Sequence, residues 1–343
     1  MSKDKFRLTV FCEVIEVTKN QTKVLACNQK RTGMSIRLIF NTTENWSYGL
    51  FIVTIITITV CGCQNKYSTA NVGWKPYGNR YAIIVMSDGR NSDKYFWPVT
   101  KSMYSYLRTM GFNKENIRFL APNKYATNYP DIVYDKAVET KIEEAFKWAK
   151  SICTGKDLLY IFWISHGTSS YFTTAGNSVS HSTLASWMKG IRAKQIIGVY
   201  QPCQSGAVVD DISGENIITL TSTDLTTTND WPWAENIAFA VAGPPYYDQW
   251  MNPNHELEPA KYTADHDGDG QMSMTEAYIW VAKHRYTEGS MFDDNGDGLG
   301  GQWTKDTFDP NNPNKDGYNG NHYSLRGFKP IRKMWLNPIS NAN

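Results

Sequence analysis

The sequence predicts a three-layer α/β/α sandwich built on a mainly parallel sheet. Short, nearly uninterrupted apolar runs recur at residues 81–86, 117–120, 161–164, 196–200 and 217–222. Stretches with helical periodicity separate them, as at 135–152, where Ala137, Val138, Ile142, Ala145, Phe146 and Ala149 share one face. Runs that are apolar throughout suit strands covered on both faces, and strand–helix alternation makes neighbouring strands parallel. With 41% hydrophobic and 20% charged residues among 343, the composition is that of a globular protein.

From the N-terminus, residues 1–47 carry eight Lys/Arg against four Asp/Glu, although the whole chain sums to only +2. Residues 50–60 form a charge-free apolar run, too short for a membrane span of about 20 residues but suited to the hydrophobic part of an export signal. It ends in Val60-Cys61-Gly62-Cys63, which resembles a lipobox whose last cysteine is lipidated and becomes the mature N-terminus. Met34 as the start would leave Arg37 as the basic residue of this leader. Two other readings stay open: a signal anchor with the basic N-terminus held in the cytoplasm, and a buried strand of a separate N-terminal domain. Both export readings place the rest of the chain outside the cytoplasm, membrane-anchored at the cell surface or secreted. Residues 1–63 are thus read as a leader and the polar residues 64–80, with Gly, Pro and Asn, as a linker.

The first sheet strand, 81–86, ends in the turn Ser87-Asp88-Gly89. A helix over 98–110 follows, with Gly111 as its stop. A second strand at 117–120 and the helix at 135–152 lead to the strand ending at Ile164. A Ser/Thr/Gly-rich hairpin at 168–180, a helix near 182–192 and the strand at 196–200 come next. The strand at 217–222 and a helix beginning over 234–241 complete a domain assigned to 81–245. Over 246–343 the texture turns to Pro, Asn, Asp and Gly, read as a loop-rich extension. After residue 47 there are 27 basic and 29 acidic residues, a balance that gives no sign of a nucleic-acid surface. The cysteines (12, 27, 61, 63, 153 and 203) make no disulfide framework, and Cys153, closing a helical stretch, reads as a small core residue.

Chemistry concentrates at two strand ends. Ile161-Phe162-Trp163-Ile164-Ser165-His166-Gly167 and Ile196-Ile197-Gly198-Val199-Tyr200-Gln201-Pro202-Cys203-Gln204-Ser205-Gly206 each stop abruptly at a reactive side chain near a glycine. In open α/β sheets the reactive groups lie beyond the carboxyl ends of the strands. A thiol beside an imidazole can ionise near neutral pH, and the thiolate cleaves acyl bonds.

This pair of blocks resembles the caspase-fold cysteine peptidases of clan CD, and among them the legumain-like family, over residues 81–243. The family shows an apolar strand, His-Gly, a second apolar strand, then Glu-Ala-Cys-Glu-Ser-Gly; here the second block reads Gln201-Pro202-Cys203-Gln204-Ser205-Gly206. The resemblance implies a caspase- or haemoglobinase-like sandwich acting as an endopeptidase on protein or peptide substrates. Cys203 would attack the scissile carbonyl, His166 would protonate the departing amine, and the N–H groups of Gly167 and Cys203 would hold the oxyanion. Relatives of this type bind asparagine through an Arg after the first strand, an acidic residue two before the cysteine, and an Asp after the next strand. Here the first stretch reads Asp93-Lys94-Tyr95-Phe96-Trp97, Gln201 takes the second place, and Asp224 or Asp230 the third. A basic residue and another polar residue before the cut are therefore both open. So is a transpeptidase or transamidase outcome, in which an amine rather than water resolves the acyl-enzyme. A third reading is an inactive calcium-binding surface protein, against which the intact His166, Gly167 and Cys203 stand.

Asp265-His266-Asp267-Gly268-Asp269-Gly270-Gln271-Met272-Ser273-Met274-Thr275-Glu276 fills the positions of a twelve-residue EF-hand loop. Asp265, Asp267, Asp269, Gln271, Ser273 and Glu276 would supply oxygens to Ca2+, and an exiting helix follows at 277–283. The pattern repeats at Asp293, Asn295 and Asp297, with Thr304 at the twelfth position, a weaker candidate. Asp309, Asn311 and Asp316 are read mainly as loop formers. Similar loops follow the catalytic domain in some microbial legumain-like proteins, so the resemblance implies calcium as cofactor.

Overall fold

The computed structural model describes residues 74–87, 93–228, 232–242, 264–284, 289–303 and 305–329, with backbone alone at 93–95, 232, 235–236, 239, 242 and 284 and in three N-terminal strands. The chain divides into two units, 1–70 and 71–343. In the first, β1 (Lys23–Asn28), β2 (Ser35–Phe40) and β3 (Thr59–Cys61) form an antiparallel sheet in that order. Ile36 pairs with Cys27 on one side and with Val60 on the other. The end of the apolar run is thus strand; residues 50–58 and Cys63, on which the leader reading rests, lie outside the described residues. Among the described residues no helix is long and apolar enough to cross a membrane.

In the second unit β4 (Arg80–Met86), β5 (Ile117–Ala121), β6 (Asp135–Lys136), β7 (Leu158–Ile164), β10 (Gln195–Tyr200), β11 (Ile217–Thr221) and β12 (Met291–Asp293) form one sheet. Its order is β12-β11-β10-β7-β4-β5-β6. All pairs are parallel except β11–β12. A separate hairpin, β8 (Tyr171–Thr173) with β9 (Ser178–Ser180), follows β7.

Side-chain alternation along each strand divides the core. Ala82, Ile84 and Met86 of β4 join one apolar cluster, and Tyr81, Ile83 and Val85 join the other. The first face is covered by α1 (Asp93–Thr109), α6 (Pro232–Ala242) and α7 (Met274–His284), through residues such as Met103, Ile237 and Tyr278, and the short α2 (Asn123–Asn128) packs Tyr125 and Ala126 against it. The second is covered by α3 (Glu139–Ile152), α4 (His181–Met188) and α5 (Val208–Ile212), through Phe146, Leu184 and Val208. All seven residues of β7 are buried. At about 1.5–3 kcal/mol for each large apolar side chain withdrawn from water, the two clusters hold the central strands rigidly. The architecture is the expected α/β one, a mainly parallel sheet between helical layers.

Several elements differ from expectation for local reasons. Helix α1 starts five residues before Pro98, because its apolar face continues upstream to the buried Phe96. Helix α3 starts at Glu139 rather than 135, since the N–H of Ala137 bonds to the Ala121 carbonyl and continues the β5–β6 pairing. Helix α4 ends at Met188, shortly before Gly190, whose φ of +82° suits a helix stop. Residues 74–80 are no loose tether: Lys75 and Phe328 exchange both backbone hydrogen bonds, and the Tyr77 hydroxyl donates to the Ser324 carbonyl at 3.1 Å. The C-terminal region shares the core, since Met274, Tyr278 and Phe292 lie in the same cluster as β4 and α1.

Candidate functional site

Register places three side chains in one row. Trp163 of β7 pairs with Tyr200 of β10, and Tyr200 pairs with Thr221 of β11. His166, Cys203 and Asp224 each lie three residues beyond this row, at the carboxyl edge of the sheet. Adjacent strands run about 4.8 Å apart, so the two expected catalytic residues stand on neighbouring strand ends. Pairing continues one residue past the strands: Gln201 N–H donates to the Trp163 carbonyl (2.9 Å) and Ser222 N–H to the Tyr200 carbonyl (3.0 Å). Gln201 itself is buried.

The turn carrying Cys203 is tightly held. Gln204 has φ +55°, the sole non-glycine in the left-handed region among the described residues, a conformation costing roughly 1–2 kcal/mol. Its N–H donates to the Thr227 carbonyl (3.0 Å), and its Oε1 accepts from Ser169 N–H (2.8 Å). Ser205 is fully buried and its N–H donates to Thr223 Oγ1 at 2.9 Å. Gly206 admits no side chain, since a Cβ there would lie 2.6 Å from Met291 Sδ and 2.7 Å from Asp224 Cα. Cys203 is left half-buried at the bend.

On the neighbouring strand the His166 carbonyl accepts from Ser165 Oγ (2.8 Å), Thr173 N–H (2.9 Å) and Thr173 Oγ1 (3.1 Å). These bonds fix the backbone while the imidazole stays exposed, 5.7 Å from the Phe96 ring. Gly167 sits where two loops meet. A Cβ there would lie 2.7 Å from Pro202 Cβ, 3.1 Å from Phe172 Cδ1 and 3.2 Å from the Cys203 carbonyl, so its bareness lets the histidine loop meet the cysteine turn. Cys153, by contrast, is buried, and burial followed by the charge of Asp157 pushes its thiol up to about 12.

Of the expected pocket residues, Asp224 belongs to the row and Asp230 lies outside the described residues. Burial raises the Asp224 carboxyl, but hydrogen bonds from the N–H and hydroxyl groups of Thr226 and Thr227 to its Oδ1 prevail and lower it. Next to Phe96 in the chain, Trp97 enters an aromatic stack that sequence reasoning did not single out, lying on Tyr125 at 4.3 Å and contacting Tyr129 at 4.6 Å.

In the first acidic loop, carboxylate oxygens of Asp265, Asp267 and Asp269 lie within 4.8 Å of one another. Gly268 and Gly270 take φ of +71° and +81°, turning the chain around them. Glu276 is fully buried and stands apart from this trio. Its Oε1 accepts from the N–H groups of His266 (2.9 Å) and Asp267 (3.2 Å), and its Oε2 from Ser273 N–H and Oγ. Burial, then the charge of Asp267, raises its carboxyl to about 7. Two partners come from far away in sequence. Lys329 Nζ lies 3.0 Å from both Asp267 Oδ2 and Asp269 Oδ2, and Trp74 Nε1 donates to Asp269 Oδ2 at 2.7 Å. These three carboxylates could together hold a metal ion, at oxygens that Lys329 and Trp74 engage here.

In the second loop, Asp293 and Asp297 are joined by Asp316 within the same 4.8 Å limit. Asn295 exchanges hydrogen bonds with Asp297 in a local turn. Burial raises the Asp293 carboxyl to about 6; burial and the charge of Asp293 raise Asp294, and burial and the charge of Asp294 raise Asp316. Compared with protein-family models and with curated proteins, the chain matches none.

Proposed function

We propose that this chain is an exported cysteine endopeptidase of the caspase fold, legumain-like in the order of its blocks, and steadied by calcium. The observation that carries this reading is the row at the sheet edge: an exposed imidazole and a half-buried thiol on adjacent parallel strands, at equal distance past a paired position. In the proposed mechanism the Cys203 thiol gives its proton to His166, its Sγ attacks the scissile carbonyl carbon, and the C=O electron pair moves onto oxygen. Backbone N–H groups of Gly167 and Cys203 stabilise that oxyanion. As the tetrahedral intermediate collapses, the C–N bond breaks and His166 gives the departing amine its proton. Water then attacks the thioester, His166 takes a proton from it, and the acid leaves as the thiol is restored. The carboxylate of Asp224 in the same row favours a basic or amide side chain before the cut. Calcium at Asp265, Asp267, Asp269 and Glu276 is assigned to stability, since the loop contributes nothing to the row. The apolar run ending at Cys63 supports export and tethering. A peptide-library cleavage assay beside Cys203→Ala, with and without calcium, tests the reading. Cleavage by the parent and none by the variant supports it, and equal cleavage by both overturns it.

A further inference from the structure

We propose that Asp293, Asp297 and Asp316 form a second site for a hard divalent cation on the edge of the main sheet. The site joins two segments. Asp293 ends β12 and Asp297 follows in the turn, while Asp316 comes from the loop that lies alongside. Asp293 and Asp316 are 1% and 2% exposed, whereas Asp297 is exposed and leaves one side open to solvent. Gly301 admits the third ligand, since a Cβ there would lie 2.8 Å from Asp316 Cβ and 3.0 Å from its Oδ2.

Three carboxylates this close repel strongly, and burying them is costly unless a cation compensates. In the Asp265 loop an ammonium group lies between the acids, but no Lys or Arg among the described residues pairs with these three. A separate observation points to a ligand. Thr219 is fully buried and its Oγ1 has no hydrogen-bond partner. It pairs directly with Asp293 across the antiparallel β11–β12 ladder, so both side chains rise from the same face about 5 Å apart. An unmade buried hydroxyl bond costs about 1–3 kcal/mol, and a bound cation supplies what that oxygen lacks. Three carboxylates and a hydroxyl, with water completing six to eight ligands, form an all-oxygen set of the calcium kind rather than the nitrogen and sulfur set that zinc prefers.

Calorimetric titration of the chelator-treated full chain with CaCl2 tests this. Asp297→Asn, at an exposed position that folding tolerates, should weaken one equivalent by about tenfold or more. Asp316→Asn should do the same, and Glu276→Gln should leave that equivalent untouched. A parent chain that binds no equivalent sensitive to Asp297→Asn overturns the site, whatever Glu276→Gln does. Because the readout is binding, the result stands apart from the peptidase reading.

Discussion

Gly167→Ala offers a sharp test of how the two strand ends are brought together. The added methyl would lie 2.7 Å from Pro202 Cβ, about 1 Å inside the roughly 3.5–4.0 Å at which carbon atoms rest. Pro202 is buried and its ring cannot rotate away, so the histidine loop and the cysteine turn must separate. Overpacking of this size costs about 1–3 kcal/mol of stability. Displacing a catalytic group by about 1 Å costs on the order of a hundredfold in rate. We therefore expect kcat/KM on a cleaved peptide to fall about a hundredfold, at temperatures where the variant remains folded. Gly155→Ala serves as control, because a Cβ there meets nothing within 4 Å. If Gly167→Ala keeps a kcat/KM equal to that of Gly155→Ala, the reasoning about the loop contact is wrong.

Two further outcomes follow from buried groups. His322 is buried with both ring nitrogens unpartnered, and burial followed by the charge of Lys329 lowers it from 6.5 to about 4. The folded state thus holds it neutral while the unfolded chain takes up a proton below pH 6.5. Its contribution is complete above that pH and is lost as pH falls through 4, by about 3 kcal/mol. Urea melts from pH 7 to pH 4 should show parent stability falling more than that of His322→Leu by about this amount, and parallel curves would refute it. For the cation loop, calcium at one hundred times its Kd should stabilise by about 2.7 kcal/mol. Glu276→Gln should lose the loop's share of that thermal shift, and a variant that melts like the parent at saturating calcium would contradict the assignment.

The parts of the fold legible in the sequence are those governed by short-range pattern. The apolar runs of β7 and, after Gln195, of β10 announced strands covered on both faces, and the His-Gly and Pro-Cys endings placed the reactive groups at their tips. Local spacing also brought Asp265, Asp267 and Asp269 together as expected. What escaped depends on long-range contact or on backbone pairing. Ala137 fits a helical stripe, yet its N–H satisfies β5. Lys329 and Trp74 reach the first acidic loop from opposite ends of the unit, and Asp316 reaches Asp293 through a loop with no periodic signal. Apart from the helical run at 277–282, the apolar residues after 264 are scattered, and that the region shares the main core became visible only once α7 packed beside α6. The role expected of Gly167 rested on its N–H, and its close approach to Pro202 could be seen only in three dimensions.

The central claim is that Cys203 is the nucleophile, and a trapped acyl-enzyme tests it most directly. The full chain would be mixed with an activated peptidyl ester, quenched in acid within the first turnover, and mapped by peptide mass. The account predicts one acyl group per chain, in thioester linkage on Cys203, absent from Cys203→Ala and formed far more slowly by His166→Ala. Turnover of the ester by Cys203→Ala at the parent rate, or an acyl group carried by a different residue, would contradict it.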